Sequence, residues 1–168
     1  MSIQVRTCPK SPEAPGTTAN DSGREPRRHA GFSSFKLRAM ADYTLKNLKD
    51  VDDAAPAFGL SPDLEARFAR EPLELENMGI SYQRLAPDFR GFGHRHKTQE
   101  EVYVIVSGSG RIKLEDEVVE LRQWDAVRVP KDTTRAFEAG PDGLELLAIG
   151  APSTGPGDAE IEQDWWTD

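Results

Sequence analysis

Several things are scarce in this chain, and each scarcity excludes something. It has one cysteine, Cys8, so no intrachain disulfide can form and a reducing, cytoplasmic setting is expected. No apolar run approaches the roughly 18 residues of a transmembrane helix, and the first residues lack the apolar core of a secretory signal. There are three histidines, His29, His94 and His96. Neither a Ser-His-Asp nor a Cys-His constellation can be drawn, because Cys8 and His29 lie far from any packed pattern. Gly108-x-Gly110 has no helix pattern after it to cradle a phosphate, so a dinucleotide site is excluded.

Positive charge is scarce too, except at one end. Of the net charge of −8, residues 1–39 contribute +4, from seven Lys/Arg against three Asp/Glu, which leaves −12 to residues 40–168. An acidic domain is a poor fit to nucleic-acid backbones or anionic membranes, so neither partner is expected. Residues 1–39 are rich in Pro, Ser, Thr, Gly and Arg and lack periodicity, and are expected to form a disordered basic extension. It has some transit-peptide character; a simpler reading makes Met40 the natural start. Residues 40–152 are expected to form the domain and residues 153–168 an acidic C-terminal tail, with Trp165-Trp166 folded back on it.

Past Met40 the pattern is mostly short strands. Tyr43–Leu48 reads as a first extended segment. Residues 61–70 read as one short helix, with Ser61 as N-cap, Pro62 at the first helical position and Asp63 and Glu65 in the first turn. Strands are expected at 76–85, 101–107, 111–114, 118–121, 125–129, 135–138 and 144–149. They are punctuated by 108–110, 115–117, 130–132 and 140–143. Such spacing points to an all-β antiparallel sandwich or barrel. Both sides of 102–106 are apolar, so that strand is covered on both faces.

The remaining histidines then become informative. His94 and His96 are two residues apart, and side chains at i and i+2 of a strand share a face. Glu101 opens the next strand and offers a hard oxygen. Two imidazoles and a carboxylate are the donor set of an open facial metal site. Tyr82 and Arg84 share a parity on the preceding strand, and Tyr82 is either a hydrogen-bond donor to a ligand or a core ring. Tyr103 falls beside Glu101 by parity and is a pocket-lining candidate. Arg90 reads as solvated, and Trp124 as a ring capping a barrel end.

The run Gly91-Phe-Gly-His94-Arg-His96, four residues, Glu101, six residues, Gly108 resembles the first motif of the cupin family, small jelly-roll β-barrels. That resemblance implies a cupin-like barrel with His94, His96 and Glu101 as ligands of a divalent metal, with Fe, Mn, Zn and Ni undistinguished. It also implies a homodimer, for which Val102, Val104 and Val106 offer an outward apolar face. The second family motif is degenerate here. Pro130 is in place, but Trp124 and Asp132 replace its glycines, Ala139 its asparagine, and Arg135 its histidine ligand.

Guanidinium stays protonated and has no lone pair for a metal. A dication 4 Å from it would meet a repulsion of roughly 8 kcal/mol at an effective dielectric of 20. Three arrangements follow. Arg135 could swing away while an anionic ligand bridges it to a bound metal; it could pair with Glu101 without metal; or it could turn outward. Cupins similar to this chain include sugar-phosphate isomerases, metal-dependent dioxygenases and aromatic polyketide cyclases. Two functions stay open on this basis: an enzyme with Arg135 orienting an anionic substrate, and a non-catalytic module binding a small carboxylate or sugar.

Overall fold

The computed structural model describes residues 41–152 and 157–167. The expected basic extension, with Cys8 and His29, lies outside the described residues. Eight strands form one curled antiparallel sheet: β1 (Leu64–Phe68), β2 (Gly79–Leu85), β3 (Gly93–His96), β4 (Glu100–Leu114), β5 (Glu117–Arg122), β6 (Ala126–Val129), β7 (Arg135–Ala151) and β8 (Ala159–Glu162). The order is β1-β2-β7-β3-β8, and β4 pairs with β5, β6 and β7. This is the all-β, cupin-like architecture expected from the sequence.

Two long strands organise the rest. Along the first half of β4, Glu101, Tyr103 and Ile105 point inward and are buried, while Val102, Val104 and Val106 stay half-buried on the outer side. The inward parity then changes to Gly110 and Ile112, because register shifts at Ile105/Ser107 and Gly108/Gly110 insert bulges into the β4–β7 ladder. Gly108 sits at φ 76, and a Cβ there would lie 2.1 Å from the Gly143 carbonyl oxygen. The turn signals at 108–110 and 140–143 therefore mark facing irregularities inside two continuous strands, where the sequence suggested four separate ones. Inside the curl, Leu85, Tyr103, Ile105, Ile112, Leu121, Val129, Phe137, Leu144 and Leu146 form the core.

The expected helix at 61–70 is absent. Residues 64–68 are β1, antiparallel to β2 from Leu64↔Leu85 to Phe68↔Ser81. Ser61, Pro62 and the acidic residues are local signals, and a ten-residue helix is marginal without packing. Here tertiary pairing wins. Glu65 accepts from Arg84 Nε at 2.7 Å across the β1–β2 pair, and the Ala66 N–H donates to Asp53 Oδ1 at 2.9 Å. Tyr43 to Asn47 are not strand, and the chain enters through short 3-10 turns at Leu48–Asp50 and Ala55–Phe58. No helix among the described residues is long and apolar enough to cross a membrane.

Candidate metal centre

β3 is four residues long, and its alternation turns His94 and His96 to the inner side, with ring centroids 5.6 Å apart. β4 brings Glu101 opposite them. One donor atom from each of these three residues lies within 4.8 Å of the other two, and among the described residues this is the one such group found. Glu101 Oε2 is 3.3 Å from His96 Nε2 and 3.9 Å from His94 Nε2. Glu100, one residue earlier, points outward and pairs with Arg128.

Arg135, the first residue of β7, is fully buried behind this cluster. Its Nη2 donates to Glu101 Oε2, its Nε to the Tyr103 hydroxyl at 2.8 Å, and its Nη1 to the Thr133 carbonyl at 3.2 Å. Of the three arrangements open from the sequence, the outward one is excluded. Tyr103 donates its hydroxyl to the same Glu101 oxygen, lies 3.4 Å from His94 Nε2, and packs its ring edge-on against Phe137. Tyr82 is not part of the cluster. It lies on β2 on the outer side of the sheet, beneath the Lys49 ammonium, which is 4.9 Å from its ring centre and 3.1 Å from Glu145.

The electrostatics follow from burial and from this one guanidinium. Burial and the Arg135 charge push the His94 pKa down to about 4, so the ring is neutral near pH 7, the form that offers a lone pair. Burial works to raise the Glu101 pKa. The nearby His96 ring, the hydrogen bond from Tyr103 and the charge of Arg135 outweigh it and hold the carboxyl well below the usual range. Burial and the Glu101 charge push the Tyr103 phenol well above its ordinary value, so it remains a donor.

A second carboxylate at the site was not foreseen. Asp158, in the segment expected to be a tail, lies 3.0 Å from His96 Nδ1 and accepts from the Thr98 N–H at 3.1 Å. It precedes β8, which pairs with β3 from Gly93↔Glu162 to His96↔Ala159. Trp166 Nε1 donates to the Gly91 carbonyl at 2.9 Å, so the tryptophan pair does fold back. Its ring centre lies 5.2 Å from the Arg90 guanidinium and 5.3 Å from that of Arg111, and Arg90, expected to be solvated, also pairs with Glu138 at 3.1 Å. Trp124 caps nothing and is 71% exposed. It and Asp132, which stand where the family motif has glycine, keep positive φ values of 72 and 66. The turns outlast the loss of the glycines.

The donor set fits a divalent ion. The Gln99 amide holds Glu101 Oε1 at 3.0 Å and Asp158 holds His96 Nδ1, which leaves Oε2 and Nε2 as the atoms facing inward. The fourth corner is Arg135, a donor and not a ligand, so among the described residues His94, His96 and Glu101 are the ones that could hold such an ion.

Residues 81–150 match the model of a family described as a cupin domain. Over those residues the chain is a cupin domain. It is 30% identical over 131 residues to a 1-hydroxy-2-naphthoate 1,2-dioxygenase of Nocardioides sp. (strain KP7), an alignment covering 74% of this chain and 32% of that protein. It is 33% identical over 69 residues to an uncharacterized protein of Methanocaldococcus jannaschii, covering 40% of this chain and 55% of that one. The chain thus spans about a third and about half of these two relatives. Among solved structures, oxalate decarboxylase from Bacillus subtilis superposes with a TM-score of 0.63 at 20% identity, covering 76% of this chain and 34% of that one. A cupin protein from Bacteroides fragilis gives 0.55 at 24%, covering 69% and 89%. The structural likenesses speak for the cupin fold alone.

Proposed function

We propose that this cupin domain holds a divalent metal ion between His94, His96 and Glu101 and binds a small carboxylate there, with Arg135 supplying fixed positive charge. The observation that carries the reading is the convergence of three donor atoms, two of them on side chains whose outer atoms are held by Asp158 and Gln99. The metal, when bound, supplies Lewis acidity or a place to hold an oxidant. Arg135 is fully buried at the site and bonded to Glu101 and Tyr103, so the ligand best suited to the combined charge is an anion. The two relatives with named chemistry, a hydroxynaphthoate dioxygenase and an oxalate decarboxylase, both have a carboxylate in their names. Metal-dependent oxygenation or decarboxylation is therefore the enzyme class to test first. Titration calorimetry with oxalate and with 1-hydroxy-2-naphthoate tests the reading. Binding to Mn(II)-loaded protein that is lost on chelation supports it, and no binding in either state contradicts it.

One observation favours a second reading. Arg135 already neutralises Glu101 through a direct hydrogen bond, as a metal would. In this reading the domain is a metal-free carboxylate-binding module. Oxalate or hydroxynaphthoate binding that is unchanged by chelator would select it.

A further inference from the structure

We propose that Asp158 is the positioning residue of the metal centre, setting the His96 ring and, through the 97–99 loop, the Glu101 carboxylate. Its consequence for metal affinity rests on the reading above; its geometry does not. The Asp158 side chain is only 10% exposed, although it lies on an eleven-residue stretch (157–167) rich in exposed groups. Every donor it takes comes from the site's own scaffold. Oδ2 faces His96 Nδ1 at 3.0 Å and accepts from the Gln99 N–H at 3.4 Å, and Oδ1 accepts from the Thr98 N–H at 3.1 Å. Its carbonyl accepts from the Lys97 N–H at 3.2 Å. Gln99 in turn donates from its side chain to Glu101 Oε1 at 3.0 Å. One carboxylate therefore braces both elements that carry inner donors, β3 and the start of β4.

The chemistry follows from the two nitrogens of imidazole. In a neutral ring one nitrogen carries the proton and the other the lone pair. A carboxylate at Nδ1 fixes the proton there and presents the Nε2 lone pair to the inside, 3.3 Å from Glu101 Oε2. Asp158 offers no atom to the inner group and acts only through His96 and the loop. Among the described residues His94 has no such partner; its Nε2 faces the Tyr103 hydroxyl instead. The two histidines are thus held differently, His96 by the C-terminal segment and His94 by the core.

The test uses the full chain and the variants Asp158→Ala and Asp158→Asn, with Glu160→Gln as control. Glu160, two residues further on in β8, pairs outward with Arg95 and Lys97. Mn(II) affinity by calorimetry should fall about 10- to 100-fold in both Asp158 variants, less in Asp158→Asn, whose amide oxygen can still accept. Glu160→Gln should stay within about twofold of the parent, as an exposed pair contributes little. Nitrogen-15 spectra of the metal-free parent should show His96 protonated at Nδ1, with that preference lost in Asp158→Ala. Mn(II) affinity and ring tautomer both unchanged in the two variants would overturn the proposal. If the parent binds no metal, the metal reading falls and the tautomer alone decides for or against Asp158.

Discussion

The β4–β7 ladder and the β3–β8 pair build the same site by opposite means. The ladder runs from Glu100↔Ala151 to Leu114↔Arg135, and its inner side chains are the core. β3, by contrast, meets β7 at one register position, His94↔Arg135, and its other strand pairing is with β8. β8 is half exposed and is followed by Trp165 and Trp166, whose polar contacts reach Gly91 and Lys113. Glu101, Tyr103 and Arg135 are thus set in the rigid wall, and the two imidazoles in the weaker one. A charge that cannot be left unpaired belongs where the backbone cannot move. Donors that must open to admit an ion belong where it can.

Breaking the rigid side should have the largest effect. Arg135→Leu leaves Glu101 buried against the core with no guanidinium, and should cost about 3–5 kcal/mol in urea unfolding of metal-free protein. A loss under 1 kcal/mol would mean that the pair is not what holds this wall. The weaker wall should respond to pH. His94 titrates near 4 when folded and near 6.5 when unfolded, so the unfolded chain takes up its proton first. The associated stability, about 3 kcal/mol, is complete above pH 6.5 and is lost as pH falls toward 4. His94→Gln should flatten that part of the curve. For the same reason, protonation of His94 should not compete with metal until well below the ordinary imidazole range.

Trp166→Ala sharpens the comparison with a smaller effect. It removes the hydrogen bond to Gly91 and the stacking of Arg90 and Arg111, about 2 kcal/mol together. Amide exchange should quicken across 93–97 while the β4–β7 ladder stays protected. Equal acceleration in both would refute the division drawn here. The smallest effect should come from Trp124→Gly, which relieves a left-handed bulky residue that is largely exposed. Thermal unfolding should show it unchanged or more stable, by up to about 1 kcal/mol.

The inner donors, on both walls, were the legible part. The spacing of His94, His96, Glu101 and Gly108 reported the fold, because a strand period of two and a required glycine leave marks in sequence. Tyr103 was placed beside Glu101 by the same parity. Residues 61–70 misled, because N-cap and Pro signals are local while β1 exists through Glu65–Arg84 and Asp53–Ala66. Tyr82 shares no side of the sheet with the histidines, and parity within β2 alone could not say which side was inner. Asp158 left no mark at all. It reaches His96 from 62 residues away, and nothing around it in the sequence indicates a partner.

Metal stoichiometry tests the central claim most directly. Purified chain is incubated with Mn(II) at pH 7, freed of excess ion and assayed by elemental analysis beside His96→Ala. The account predicts about one equivalent in the parent and none in the variant. A parent chain that retains no metal, or a variant that retains as much as the parent, would contradict it.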